Sequence, residues 1–112
     1  MPKGTRGGTR GGTRRPRATT ESGIRQRIIE NATFQKAGNG VWDLGLPSEI
    51  GGAQILDETG SNAALRMGMM PDQKLYSMIY WGKDGDPSNR QYFPRLNDAK
   101  YYAKAGVVSL NI

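Results

Sequence analysis

The sequence predicts an α+β domain: an N-terminal helix, a small antiparallel sheet of three to five strands, and a short C-terminal helix packed on one face of that sheet. Three observations carry this expectation. Apolar residues recur at helical spacing near residues 24–29 and again near 96–103. Between them lie short aliphatic and aromatic runs, each closed by glycine, asparagine, aspartate or proline. The connections are short, which favours antiparallel neighbours.

The first helix is predicted over residues 19–32. Thr19 or Thr20 can cap its start, and Glu21 falls in the first turn, where the helix dipole favours an acid. Ile24 and Ile28 lie four apart on one face with Ile29 beside them, while Arg25 and Arg27 read as its solvated side. Gly38-Asn39-Gly40 then marks a turn, so residues 34–37 and 41–44 read as a hairpin. Pro47 ends that run and Gly51-Gly52 marks another turn. Residues 53–57 read as a short strand. Residues 63–70 also read as a strand, although Ala63-Ala64-Leu65-Arg66-Met67 could open a helix.

Residues 74–81 give the clearest strand. Leu75, Ile79 and Trp81 point to one side, and Tyr76, Met78 and Tyr80 to the other. Both sides are largely apolar, which suits a central strand or one whose outer face meets a helix or a partner. Residues 82–89 form a loop, and 90–93 a strand able to pair with 74–81. Residues 96–105 read as a helix capped by Asn97 or Asp98, with Gly106 just past its end. Residues 107–112 read as a last strand.

Composition narrows the function classes. The chain has 112 residues, no cysteine and no histidine. That excludes a disulfide framework, thiolate or imidazole metal ligation, and a Ser-His-Asp triad, and it makes a non-catalytic, cofactor-free protein the expectation. No stretch approaches the roughly 18 apolar residues of a membrane helix. The basic start lacks the apolar segment of a signal peptide, so a cytoplasmic protein without a membrane partner is expected.

The formal net charge is +6. Lys3, Arg6, Arg10, Arg14, Arg15 and Arg17 supply all of it, with no acid among residues 1–17. Sixteen basic residues less those six leave ten against ten acids, so residues 18–112 sum to zero. The basic segment repeats with a period of four: Gly4-Thr5-Arg6-Gly7, Gly8-Thr9-Arg10-Gly11, Gly12-Thr13-Arg14-Arg15. It offers too little apolar surface to offset the entropy of ordering it. The sequence therefore divides into a disordered basic tail, 1–17, and one folded domain, 18–112, of about 95 residues.

Arginine presents a planar fork that matches phosphate, and threonine hydroxyls can donate to phosphate oxygens. The tail contains no aromatic residue to stack on a base. Its chemistry therefore points to phosphate contact without base reading. A solubilising tail, an acidic protein surface and an anionic membrane are the other readings of such a segment.

With its Gly-Thr-Arg repeat, the tail resembles the N-terminal tracts of small hypothetical proteins of tailed phages and prophages. The resemblance covers residues 1–17 only. It implies a phage or prophage origin, hence the host cytoplasm, and nothing about the folded domain.

Within the domain, several groups invite a site. Asp84, Asp86, Ser88 and Asn89 alternate like calcium ligands, but Pro87, Asn89 and Arg95 break the pattern at its fourth, sixth and twelfth positions. Asp43, Asp57 and Glu58 could pair as carboxylates, although Asp57 and Glu58, adjacent on a strand, face opposite ways. The glycines at 38–40 and 82–85 lack both a Rossmann pattern and a Walker lysine, and read as turns. Met67, Met69, Met70 and Met78 suit either an adaptable surface or irregular core.

The aromatic residues are the more informative group. Tyr76, Tyr80, Trp81, Tyr92 and Phe93 fall on two neighbouring strands, flanked by Arg90 and Arg95. Tyr76, Tyr80, Trp81, Arg90 and Tyr92 are the candidate binding surface, set against packing in a small core. The sequence-level expectation is an accessory protein that binds nucleic acid through tail phosphate contacts. The alternative is a small phage-encoded interaction or inhibitor protein whose domain binds a host, anti-defence or virion partner. An exposed apolar sheet face would also suit a homodimer.

Overall fold

A computed structural model describes residues 21–112. Three helices, α1 (Glu21–Asn31), α2 (Asn62–Arg66) and α3 (Leu96–Leu110), accompany five strands: β1 (Phe34–Gly38), β2 (Val41–Leu44), β3 (Gly52–Asp57), β4 (Tyr76–Trp81) and β5 (Gln91–Phe93). The strands form one open sheet in the order of the chain, and every neighbouring pair is antiparallel. The expected α+β architecture is thus present, with its sheet at the upper end of the expected size. Thr19 and Thr20, the predicted caps of α1, lie outside the described residues.

The meander follows from local turns. Gly40 has φ of 69°, a left-handed value that glycine adopts without a Cβ penalty, and it closes the β1–β2 hairpin. At the far side, the 82–89 loop is tied back to β4. The Ser88 amide donates to the Tyr80 carbonyl at 2.7 Å, and the Ser88 hydroxyl accepts the Tyr80 amide at 3.0 Å.

Alternation along the strands decides which face is covered. Register sets Trp42, Ile55 and Met78 in one cross-strand row. Ile55 and Met78 are fully buried there with Ile29, Ala99, Ala103 and Val107 from the two long helices. Ile29, Ile55, Met78 and Val107 each contribute about 1.5–3 kcal/mol through burial. Helix α3 packs on β3, β4 and β5, and α1 packs on α3. Both long helices therefore cover the same side of the sheet.

Several expectations require correction. Residues 63–70 do not form a strand: 62–66 form α2, whose N-terminus is held by the Ser61 hydroxyl accepting the Ala64 amide at 3.1 Å. Residues 107–110 continue α3 instead of forming a strand. Gly106 is consequently interior to that helix, and Asn97 and Asp98 sit in its first turn, not at its cap. Its stop is Asn111, whose side-chain amide donates to the carbonyls of Val107 at 2.8 Å and Ile50 at 3.0 Å. On α1, only Ile29 enters the core; Ile24 and Ile28 are 47% and 39% exposed.

Candidate nucleic-acid interface

The six basic tail residues Lys3, Arg6, Arg10, Arg14, Arg15 and Arg17 lie outside the described residues. The aromatic and arginine candidates can be located, and the pleat divides them between two faces.

Tyr76 and Tyr80 turn toward the helices. Tyr76 meets Trp42 edge to face, with centroids 6.0 Å apart, and both rings pack against the core. Tyr80 lies against Gly106 of α3. Phe93, opposite Tyr76 on β5, stacks on Tyr102 at 5.3 Å. Tyr80 and Phe93 thereby hold α3 to the sheet. Half-buried as they are, Tyr76 and Tyr80 present no free ring face comparable with that of a surface residue.

Trp81, Arg90 and Tyr92 belong to the opposite face, which neither long helix covers. Register places Tyr92 opposite Ser77, and Ser77, Ile79 and Trp81 alternate along β4 away from α3. Val41, Leu56, Ile79 and Trp81 on this face are all half-buried. Tyr92 is 37% exposed. The Trp81 indole lies across Gly52 of β3, where a side chain would collide with it.

A polar chain crosses the same face. The Ser77 hydroxyl is fully buried, donates to the Glu58 carboxylate at 2.8 Å, and accepts from an Arg90 guanidinium nitrogen at 2.9 Å. A hydroxyl has one hydrogen to give. Donation to Glu58 leaves its lone pairs toward Arg90, so the bond orients the arginine. Arg90 reaches Ser77 because residues 90 and 92 share a strand face. The sequence showed Arg90 beside an aromatic strand but gave no sign of the Ser77–Glu58 support, which joins residues 19 positions apart.

The carboxylates named as candidates are separated. Asp43 accepts the Gln54 side-chain amide at 3.2 Å on the open face. Asp57 accepts the Thr59 amide at 2.9 Å on the helix side. Burial alone would raise the Asp57 carboxyl, but hydrogen bonds from Thr59 and the charge of Lys74 outweigh it and hold it below the usual aspartate value. Asp84 and Asp86 line a polar cleft of about 360 Å³ with Glu21, Glu49, Arg25 and Lys83. Acids outnumber bases there, which disfavours phosphate. The methionines also divide: Met78 is core, whereas Met67 and Met70 are exposed.

No family model, no curated protein and no solved structure matches this chain. Among the described residues no helix is long and apolar enough to cross a membrane.

Proposed function

We propose that this is a non-catalytic accessory nucleic-acid-binding protein that grips phosphate through its basic segment, residues 1–17. The observation that supports this most is the separation of charge. Six basic residues without an acid precede a domain whose charges sum to zero. Neutralising several phosphates releases condensed counterions, which makes association favourable and steeply salt-dependent without base recognition. The domain's polar cleft carries an acidic excess, so the basic segment suits a polyanion better than that cleft does.

The test compares full-length protein with a variant lacking residues 1–17, by fluorescence anisotropy on labelled oligonucleotides at two salt concentrations. Salt-dependent binding by the full chain, lost on truncation, supports the reading. Equal binding by both, or none by the full chain at low salt, overturns it.

A second reading is a small phage-encoded interaction or inhibitor protein acting through its domain. The exposed side chains of Leu65, Met67 and Met70 around α2 favour it, since clustered adaptable apolar groups suit a protein partner. A protein partner bound equally by the full chain and by the chain lacking residues 1–17, and lost on Met67→Asp, would select this reading.

A further inference from the structure

We infer that the open face of the sheet holds single-stranded nucleic acid, with Tyr92 stacking on a base and Arg90 meeting the adjoining phosphate. This rests on the nucleic-acid reading above and adds to it a base-contacting site that the tail, having no aromatic residue, does not supply.

Three features fit an unpaired strand. Arg90 is oriented by a fully buried hydroxyl, itself anchored on Glu58. Among the described residues its guanidinium lies within ion-pair distance of no carboxylate; the Arg25–Glu21 pair is the one ion pair there. A guanidinium has five N–H groups, and Ser77 accepts from NH1 alone, so the fork keeps donors for phosphate. Tyr92, two residues along the same strand face, is the most exposed aromatic on the open face. Base–aromatic stacking tolerates any sequence, which suits a protein whose tail reads none.

Trp81 extends the aromatic surface of this face: it stands four residues along β4 from Ser77, the partner of Tyr92, a separation of about 13 Å.

The test titrates the full chain and its variants against a labelled oligothymidylate of roughly 12 nucleotides and the corresponding duplex. The full chain is expected to prefer the single strand, because stacking needs an unpaired base. Tyr92→Ala should weaken that binding roughly 5- to 150-fold, and Tyr92→Leu, which keeps apolar bulk, should do the same. Tyr92→Phe should bind like the wild type. Arg90→Gln should lower the slope of log affinity against log salt by about 0.7. Failure of the full chain to bind either oligonucleotide at low salt removes the proposed function as well. Binding by the full chain that Tyr92→Leu and Arg90→Gln leave unchanged overturns this inference alone. So does sedimentation of the chain as a dimer that Tyr92→Leu dissociates with oligonucleotide affinity intact, since the face would then be a self-association surface.

Discussion

Gly106 of α3 lies directly on the ring of Tyr80 of β4: a Cβ at residue 106 would stand 2.5 Å from the ring's Cε1 and 2.6 Å from its Cδ1. The glycine is a contact surface that lets the helix approach the sheet. In an exposed helix, replacing glycine by alanine gains about 1 kcal/mol. Here overpacking opposes it, at about 1–3 kcal/mol. Gly106→Ala should therefore lower the urea midpoint with the m-value unchanged, despite improved helix propensity. Combining it with Tyr80→Leu should cost less than the two changes summed, because the clash disappears with the ring. A midpoint that rises in the single variant would show that the helix is not pressed on Tyr80.

That glycine also explains where the sequence misleads. Read locally, Gly106 followed by Val107 and Val108 is a helix stop before a strand. In the fold, Ala99, Ala103, Gly106 and Val107 form one buried stripe, so packing carries the helix through the glycine. Residues 63–70 failed for a related reason. Met67, Gly68 and Met69 blur the pattern, while the legible signal was Ser61 as a cap for Ala63-Ala64-Leu65-Arg66. Strands were easier because alternation and turn residues are local: the Asn39-Gly40 hairpin and the Tyr76–Trp81 strand could be read directly. The division of the aromatic candidates follows from the pleat, which the sequence sets by parity. Which parity faces the helices depends on long-range packing.

The buried Ser77 hydroxyl joins Glu58 and Arg90 at 2.8 and 2.9 Å. Ser77→Ala removes both bonds but leaves no buried group unpaired, because Glu58 is half-buried and Arg90 exposed, and both can turn to water. The expected cost is about 1 kcal/mol in chemical denaturation. A double-mutant cycle of Ser77→Ala with Arg90→Ala should return a coupling of about 0.5–1.5 kcal/mol. Zero coupling would mean the hydroxyl does not orient the arginine.

Asp57 sets a pH dependence of known sign. Its folded-state carboxyl is held below the usual aspartate value: burial pushes it up, and Thr59 hydrogen bonding with the Lys74 charge pulls it further down. A depressed folded value contributes stability above the unfolded value, and that contribution is lost as pH falls through the folded one. Asp57→Asn keeps an acceptor for the Thr59 amide but removes the charge. The wild type should therefore exceed Asp57→Asn in stability at neutral pH, and the gap should close in acid. Because Asp57 is exposed, the gap should be modest and should shrink with added salt. Urea midpoints across the acid range decide this, and a gap independent of pH would refute the assignment.

Gly52 supports Trp81 on the open face. A Cβ at residue 52 would lie 2.7 Å from Cζ2 of the indole, so Gly52→Ala has to displace the ring or spread β3 from β4. In a Trp42→Phe background, Trp81 is the single fluorophore of its type, since the chain has two tryptophans. Gly52→Ala should then shift the emission to longer wavelength and increase quenching by acrylamide, with a stability loss of about 1–3 kcal/mol. An unchanged spectrum would mean that the indole does not rest on Gly52. The same fluorophore reports on the proposed site: an oligonucleotide lying along the open face from Tyr92 to Trp81 should quench it, whereas one held by the basic segment alone should leave its emission as it was.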